Sequence, residues 1–508
     1  MAQKKQKSTS PKKPVAKLQA WHYLLLIAIP ALVYGRSLMF GFVMHDDDKM
    51  ILENPIVKAG VNPGIAFTTD AWFMDARIEL YRPWQSISYM IDYAIGKDNP
   101  LIYHLHNLLI FLLGAYLFFV FLKNYFKPIL AWAGALLYSV NLLTPHVTGW
   151  IAARGDLYLM LFGMLFLVLL QRYLRKNSAM SLWLSVIAFF MALLSKESAI
   201  ALLPIAWVLI YIERGKMPSG KEWAWMAVNA VAFAGYFMMR KGAIADAGNL
   251  SVKAFAMNLR SLGEELFKMI FPFGYSVMPG YNIMWTLAGV VCIGALVYFT
   301  RKYDVPKKVW WTGLAILLFS LLPSMAYEPS FAGVAYDYLD HRSWFPYAGA
   351  WLIILGIIDQ SKFALQKNAM YVFTGVLVIW SGVDAWRIGT YSNWENYYGN
   401  AIRTNPGSGL ANLNYGSMLR DAGKWEEALP YVEKGVQLSP RYVDAKVRLA
   451  EIYFNLKRYK DAVDVATEGI KLEPNNVSAL QFRGSAYGAG GQAAMAEQDF
   501  KAILAINP

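Results

Sequence analysis

The sequence predicts an all-α protein in two parts: a bundle of transmembrane helices, then an α-solenoid built from short helix pairs. Of its 508 residues 56% are hydrophobic and only 16% are charged, whereas soluble domains carry about 25% charged residues. After residue 405 the composition becomes polar, and proline recurs at a fixed spacing. The first observation predicts a chain that is mostly in lipid, and the second predicts a repeat array outside it.

Apolar runs predict about eleven membrane spans, each near the ~20 residues that cross the hydrocarbon. The runs cover residues 21–42, 105–122, 129–143, 156–170, 179–194, 198–212, 222–239, 282–300, 309–323, 345–360 and 369–386. Basic residues cluster in alternate connections, on the same side as a lysine-rich tail at residues 1–20, and this pattern is typical of the cytoplasmic face. The long connections at 42–104, 240–281 and 324–344 are therefore expected outside, together with everything that follows the last span.

The net charge and the cysteine content bear on the class of protein and on its cellular compartment. The formal net charge of +13 does not indicate nucleic-acid binding, because the basic residues lie in small clusters between apolar runs. The single cysteine, Cys292, excludes an intramolecular disulfide. Long outer loops without disulfides favour a bacterial inner membrane, with those loops and the repeats in the periplasm.

The C-terminal part has the period of the tetratricopeptide repeat (TPR), about 34 residues. That spacing relates Pro406, Pro440, Pro474 and Pro508, then Gly416, Ala450 and Gly484, and finally Ala428, Ala462 and Ala496. Small residues suit the places where paired helices approach closely, and proline ends each pair because it cannot continue a helix. The pattern predicts three repeats over 406–508, joined to the bundle by a linker at 387–405.

An acidic cluster lies just after the first predicted span. Asp46, Asp47 and Asp48 are adjacent in sequence, so their mutual repulsion raises the pKa of one of them and suits it to act as a general base. A calcium loop is less favoured, because its acidic residues would alternate. The alternative is an ordinary solvated cluster at the end of a span.

Further ionisable residues lie at predicted outer span ends or in the outer loops, where they are functional candidates. They are Arg82, His104, Arg154, Asp156, Lys196, Glu197, Asp340, His341 and Arg342. The alternatives are structural ion pairs, snorkelling side chains and structural histidines. Together, a carboxylate cluster and an excess of cations are what the transfer of a sugar from a phosphate-linked lipid to a hydroxyl requires. No glycine-rich fingerprint supports a nucleotide-sugar donor.

The order of these motifs resembles the TMTC-type proteins, the transmembrane and tetratricopeptide-repeat O-mannosyltransferases of the GT-C glycosyltransferase superfamily. The matching motifs run through nearly the whole chain. They are Phe42-Val-x-x-Asp46-Asp47 with Asn54-Pro55, Tyr81-Arg82-Pro83, Tyr103-His104-Leu-x-Asn107, Trp150-Ile-x-x-Arg154-x-Asp156, Ser195-Lys196-Glu197, Asp340-His341-Arg342-x-x-x-Pro346, and Asn405-Pro406 before the repeats.

The resemblance implies a GT-C-type transmembrane domain over 21–386 that transfers a sugar, mannose in the first place, from a polyprenyl-phosphate donor to Ser/Thr hydroxyls of exported proteins with inversion. It makes Asp46 the base and Asp47 its partner. Arg154, His341 and Arg342, with Lys196, would contact the donor phosphate, supported by Asp48, Arg82, His104, Asp156, Glu197 and Asp340. The repeats would dock the polypeptide acceptor.

Two departures from the family pattern leave questions open. His146 stands where family members usually carry Glu, and Asp48 extends the acidic pair. The identity of the base and a requirement for a divalent cation (Mg or Mn) therefore stay open, and no metal ligand is assigned. The alternative functions are a transferase that acts on a glycan or lipid and a TPR membrane scaffold without catalysis. A transporter would pair its charges near the bilayer midplane, whereas these collect at one face.

Overall fold

The computed structural model describes residues 18–72, 80–244, 249–328, 340–363 and 366–506. The predicted lysine-rich tail therefore lies almost wholly outside the described residues, as do Pro508 and parts of the three predicted outer loops.

The first part of the chain is helical, as predicted. Its helices are α1 (Ala20–Tyr34), α2 (Pro55–Lys58), α3 (Pro63–Thr68), α4 (Pro83–Gly96), α5 (Pro100–Leu122), α6 (Pro128–Ser139), α7 (Pro145–Thr148), α8 (Arg154–Lys176), α9 (Ala179–Ser195), α10 (Leu202–Arg214), α11 (Gly220–Ala243), α12 (Val252–Asn258), α13 (Ser261–Ile270), α14 (Ile283–Lys302), α15 (Lys307–Met325), α16 (Trp344–Gln360) and α17 (Ala369–Arg387). Short 3-10 or π turns occupy Gly35–Met39, Asp48–Leu52, Ile151–Ala153, Glu197–Ala201, Asp340–Ser343 and Ile388–Tyr391. The described strands are β1 (Asn249–Leu250) and β2 (Tyr327–Glu328), which pair antiparallel.

Within the described residues, six helical segments are long and apolar enough to cross a membrane. They are Ala20–Met39, Pro100–Leu122, Ile151–Lys176, Ile283–Lys302, Lys307–Met325 and Ala369–Tyr391, and each coincides with a predicted span. The other five predicted runs also form helices, but α6, α9, α10 and α16 have at most 17 residues, and α11 is longer but less apolar. The chain is thus a helical membrane protein, while the number eleven stays a prediction.

Close approaches of small residues hold the membrane helices together. A Cβ atom built on Gly313 of α15 would lie 2.6 Å from the Gly349 carbonyl oxygen of α16. One built on Gly263 of α13 would lie 2.8 Å from the carbonyl carbon of Gly289 in α14. Apolar helices gain little by leaving lipid for each other, so backbone approach of this kind supplies the packing that holds them.

The C-terminal part is a stack of antiparallel helix pairs. It contains α18 (Trp394–Thr404), α19 (Gly409–Asp421), α20 (Trp425–Leu438), α21 (Val443–Asn455), α22 (Tyr459–Leu472), α23 (Val477–Ala489) and α24 (Ala493–Ile506). The predicted small positions lie inside it: Ala428, Ala450 and Ala462 are each 0% exposed. A Cβ on Gly416 would lie 2.5 Å from a methyl carbon of Val432, which explains why glycine is needed there.

The predicted linker at 387–405 is largely helical. Asn393 caps the first turn of α18 by accepting a hydrogen bond from the Asn396 N–H at 2.9 Å. Tyr397, Tyr398 and Ala401 of this helix are buried in the same core as the membrane helices. The helical form of this segment has a simple cause: a short helix with one apolar face stays folded when that face is covered by a neighbouring domain.

Candidate active site

The acidic cluster predicted as the catalytic centre lies on a constrained loop, residues 43–48, called here the acidic loop. Met44 and Asp46 have φ angles of +55° and +68°, a left-handed conformation that costs a residue other than glycine about 1–2 kcal/mol. Three hydrogen bonds hold the backbone there: Tyr398 Oη donates to the Met44 carbonyl at 3.1 Å, Trp150 Nε1 to the His45 carbonyl at 2.8 Å, and the Met50 N–H to the Asp46 carbonyl at 2.8 Å.

Asp47 is a buried tether rather than an accessible carboxylate. It is 1% exposed, and both carboxylate oxygens accept backbone hydrogen bonds. The Val43 N–H donates to one at 3.0 Å and the Ala152 N–H to the other at 3.1 Å. Burial raises the pKa of Asp47 well above its usual range, and the two N–H donors oppose this only in part. Asp47 thus ties the acidic loop to residues 150–154.

Asp46, like Asp48, is partly exposed, whereas Asp47 between them is buried. Within the described ranges the Asp46 side chain accepts no hydrogen bond. Burial raises the pKa of Asp46 above the ordinary value, while the nearby guanidinium groups of Arg82 and Arg342 oppose the increase. Asp46 is therefore a carboxylate with a raised pKa and with oxygens that can accept a proton from a ligand, and two arginines from separate loops interact with it. The pKa of Asp48 is also raised by burial, against the attraction of Lys49.

A layer of ion pairs borders Asp46. Arg82 donates to both oxygens of Glu197, at 3.0 Å from Nε and 2.8 Å from Nη2, in the bidentate geometry that suits a guanidinium. Lys196 Nζ lies 2.5 Å from Asp156 Oδ1 and is only 7% exposed as a residue. Burial lowers the pKa of Lys196, which Asp156 partly restores, and the Arg82 pair holds the pKa of Glu197 at about 2.

His341 joins this layer from the turn that precedes α16. Its Nε2 lies 3.9 Å from Asp156 Oδ2, and its ring packs edge-on against Trp150 with centroids 5.1 Å apart. Burial lowers its pKa well below the usual range, and the cations Lys196 and Arg342 lower it further. His341 is thus a neutral imidazole near pH 7, which donates one N–H but carries no charge.

Asp340 anchors the turn at Asp340–Ser343 through buried contacts. It is 1% exposed and accepts a hydrogen bond from Lys268 Nζ at 3.0 Å, while the same ammonium donates to Glu265 at 2.9 Å. His146 Nε2 lies 3.5 Å from the second Asp340 oxygen. Sequence reasoning missed Glu265 and Lys268. Their spacing of three residues on one face of a short helix was the available signal.

Arg154 lies in a different cluster from the one predicted. It is 0% exposed, and its guanidinium pairs with Asp92 at 2.5 Å. Its remaining donors bond Asn107 Oδ1 at 2.6 Å, Ser88 Oγ at 3.0 Å and the Tyr103 carbonyl at 3.0 Å. These contacts leave the guanidinium without access to a ligand at the site. Asp92 was missed because a single acidic residue in a helix carries no sequence pattern.

His104 is a supporting residue. It is 1% exposed, and its Nε2 lies 3.3 Å from the Gly41 carbonyl oxygen, next to the start of the acidic loop. The structure thus brings together Asp46, Asp47, Asp48, Arg82, Asp156, Lys196, Glu197, His341 and Arg342, and places Arg154 and His104 behind them. Among the residues that the structure describes, no group of three His, Cys, Asp or Glu side chains is arranged to hold a metal ion.

Apolar spans, a polar site built from separate loops and a stacked helical array define a membrane-anchored tetratricopeptide-repeat protein. Models of the tetratricopeptide repeat match residues 382–443 and 419–483, which confirms the predicted repeats. The first match begins inside the last span and includes α18, so the array continues from the membrane helices.

Curated relatives confirm the resemblance to TMTC-type proteins. The chain is 22% identical over 462 residues to Protein O-mannosyl-transferase F38B6.6 of Caenorhabditis elegans, which covers 85% of this chain and 65% of that protein. It is 21% identical over 507 residues to mouse Protein O-mannosyl-transferase TMTC3, at 86% and 53% coverage, and 30% identical over 179 residues to human TMTC1, at 34% and 20%. The chain thus spans less than two thirds of the length of these relatives.

Proposed function

We propose that this protein is a membrane glycosyltransferase that moves a sugar, mannose in the first place, from a polyprenyl-phosphate donor to Ser/Thr hydroxyls of exported proteins, with inversion. The names of the relatives support the class of reaction. The observation that carries the proposal is Asp46: a partly exposed carboxylate of raised pKa, without a hydrogen bond in the described chain, close to two arginines.

In the proposed step the acceptor hydroxyl oxygen attacks the anomeric carbon, and the bond from that carbon to the phosphate oxygen breaks. Asp46 takes the hydroxyl proton, and the bonding electron pair leaves with the polyprenyl phosphate. A raised pKa suits the base, because a stronger base removes a hydroxyl proton more readily. Attack from the face opposite the phosphate inverts the anomeric carbon.

The leaving phosphate gains charge as the bond breaks, so donors fixed beside it stabilise the transition state. We assign this role to Arg342, Lys196 and the neutral His341. Lys196 uses one of its three N–H donors on Asp156, and within the described part of the chain the other two are available for a ligand. Arg82 and Glu197 would hold the layer in place.

The contacts of two predicted residues favour a change of role. Both Asp47 oxygens are occupied by backbone N–H groups, so we propose that it positions Asp46. Arg154 has its donors bonded within the protein, so we propose that it positions α4, α5 and α8 rather than binding phosphate. No step is assigned to a metal ion.

The repeats suit a polypeptide acceptor, because stacked helix pairs present an extended concave surface to partner chains. We place this array and the site in the periplasm of a bacterial inner membrane, following the charge asymmetry of the connections. If the acceptor is a glycan or lipid instead, removal of residues 406–508 leaves turnover intact. If the protein is a scaffold without catalysis, substitution of Asp46 leaves its cellular phenotype unchanged.

The test is transfer from polyprenyl-phosphate mannose to a Ser/Thr-rich secreted polypeptide by the purified full chain in detergent. Asp46→Asn keeps size and polarity but removes the base, and we expect a fall in kcat of about 100-fold or more. The matched control is Asp98→Asn, because Asp98 is exposed and its ion pair with Lys58, at 3.5 Å, is a surface contact. Equal transfer by the wild type and Asp46→Asn would contradict the assignment.

A further inference from the structure

The acidic loop is held partly by the repeat-bearing side of the chain. Tyr398, on α18, is 1% exposed and donates its hydroxyl proton to the Met44 carbonyl at 3.1 Å. The same hydroxyl lies 3.1 Å from His45 Nδ1. Because a carbonyl can only accept, the one hydroxyl proton points to Met44, and His45 Nδ1–H must donate to Tyr398. One tyrosine thus contacts the two residues that precede Asp46.

The His45 ring is held by two aromatic neighbours. It packs against Trp150 and against Tyr397, each with ring centroids 5.3 Å apart. Its carbonyl accepts from Trp150 Nε1 at 2.8 Å. The left-handed residues Met44 and Asp46 flank this fixed ring. A strained loop of this kind keeps its shape only while its surroundings over-determine it, and α18 supplies a large part of those surroundings.

Helix α18 is itself fastened to the membrane part. Asn400 Oδ1 accepts from the Val277 N–H at 3.1 Å, and Asn405 Nδ2 donates to the Met278 carbonyl at 3.1 Å. Ser276 and Thr404 share a hydrogen bond of 2.7 Å. The helix therefore cannot tilt with the array without moving residues 276–278 or the acidic loop.

We propose that Tyr398 is a positioning residue through which the repeat-bearing end of the chain sets the place and orientation of Asp46. The proposal rests on the proposed function of Asp46 as the base. The repeats then do more than dock an acceptor, because the helix that begins them also shapes the site. Among the residues that the structure describes, the charged and titratable groups that interact with Asp46 are His45, Asp47, Asp48, Arg82, Arg342, Tyr397 and Tyr398.

The test is Tyr398→Phe, which keeps the ring and removes both hydrogen bonds. The matched control is Tyr453→Phe, because Tyr453 in the array donates to Glu433 at 2.6 Å and lies away from the loop. Hydrogen–deuterium exchange of residues 43–50 is expected to accelerate in Tyr398→Phe and to stay at the wild-type rate in Tyr453→Phe. Exchange equal to wild type in both variants would overturn the proposal.

Kinetics give a second measurement. We expect Tyr398→Phe to lower kcat about tenfold with an unchanged KM for the lipid donor. The acid limb of the pH–rate profile of this variant should move to lower pH. A relaxed loop lets water reach Asp46, and hydration lowers the pKa of a buried carboxylate. A lower kcat with the wild-type acid limb would indicate a general folding defect and overturn the proposal. If the wild type transfers no sugar, the proposed function fails, and the exchange experiment still decides whether Tyr398 holds the loop.

Discussion

Replacing Arg154 with lysine distinguishes a buried structural arginine from the phosphate contact that the motif predicts. The guanidinium makes one ion pair, with Asp92 at 2.5 Å, and three further hydrogen bonds, to Asn107, Ser88 and the Tyr103 carbonyl. A single ammonium can keep the ion pair but does not span the positions of the planar fork, so we expect two of the three other bonds to be lost. At about 1–1.5 kcal/mol each, Arg154→Lys should lower the free energy of unfolding by about 2–3 kcal/mol.

The assay is equilibrium unfolding of the purified protein in detergent, with donor kinetics on the same samples. Arg154→Met should cost more, about 3–5 kcal/mol, because the buried Asp92 carboxylate loses the cation at Oδ2 and keeps the contact of Oδ1 with His106 Nδ1 at 2.7 Å. Adding Asp92→Asn to that variant removes the buried charge and should restore part of the loss. An Arg154→Lys variant that unfolds like the wild type while its KM for the lipid donor rises would contradict the structural role, since Arg154 would then contact the donor.

Three further outcomes are expected. Lys268→Met should lower the free energy of unfolding by about 3–5 kcal/mol, and the deficit should shrink as the pH falls, because burial raises the pKa of its partner Glu265 well above the usual range and protonation then neutralises that carboxylate; a deficit independent of pH would contradict this. Gly289→Val should cost about 1–3 kcal/mol in thermal or denaturant unfolding, because its Cβ would lie 2.6 Å from a backbone nitrogen, whereas Gly294→Val, which meets nothing within 4 Å, should be near neutral; equal losses would contradict the packing. The pH–rate profile should have its acid limb above the ordinary Asp pKa of 3.8, since burial raises the pKa of Asp46 and activity needs the charged form; an acid limb at or below that value would contradict the role of Asp46.

The helical repeats could be predicted because they leave a periodic signal. Two series of small residues, one that contains Gly416 and one that contains Ala462, each recur with the repeat period. The burial of both residues in the structure confirms the pattern. The span count was less predictable. Helices such as α6 and α16 have 12 and 17 residues, fewer than the ~20 that usually cross the hydrocarbon. Composition therefore locates these helices but does not decide whether each one crosses the membrane.

The candidate site could be predicted only in outline. Motifs at the ends of spans on one face of a bundle are expected to lie close together. This expectation predicted that Asp46 and Arg342 would be neighbours, and in the structure Arg342 acts on the Asp46 carboxylate. The motifs could not show that Asp46 is accessible while both oxygens of Asp47 are hydrogen-bonded. One donor to Asp47 is the nearby Val43 N–H, but the other is the Ala152 N–H, which is 105 positions away in sequence. Nor could the motifs find Tyr398, whose proposed role depends on a hydrogen bond between residues 354 positions apart.

The central claim is that Asp46 and Arg342, from two loops far apart in sequence, act on the same bond-breaking step. A double-mutant cycle on kcat/KM for sugar transfer tests it most directly, with Asp46→Asn, Arg342→Gln and the double variant compared at one pH. Each single variant should lose about 100-fold or more, and the double variant should lose little beyond the larger single loss, because residues that act as a unit are not additive. If the two losses multiply, Asp46 and Arg342 act independently and the account of a shared site is contradicted.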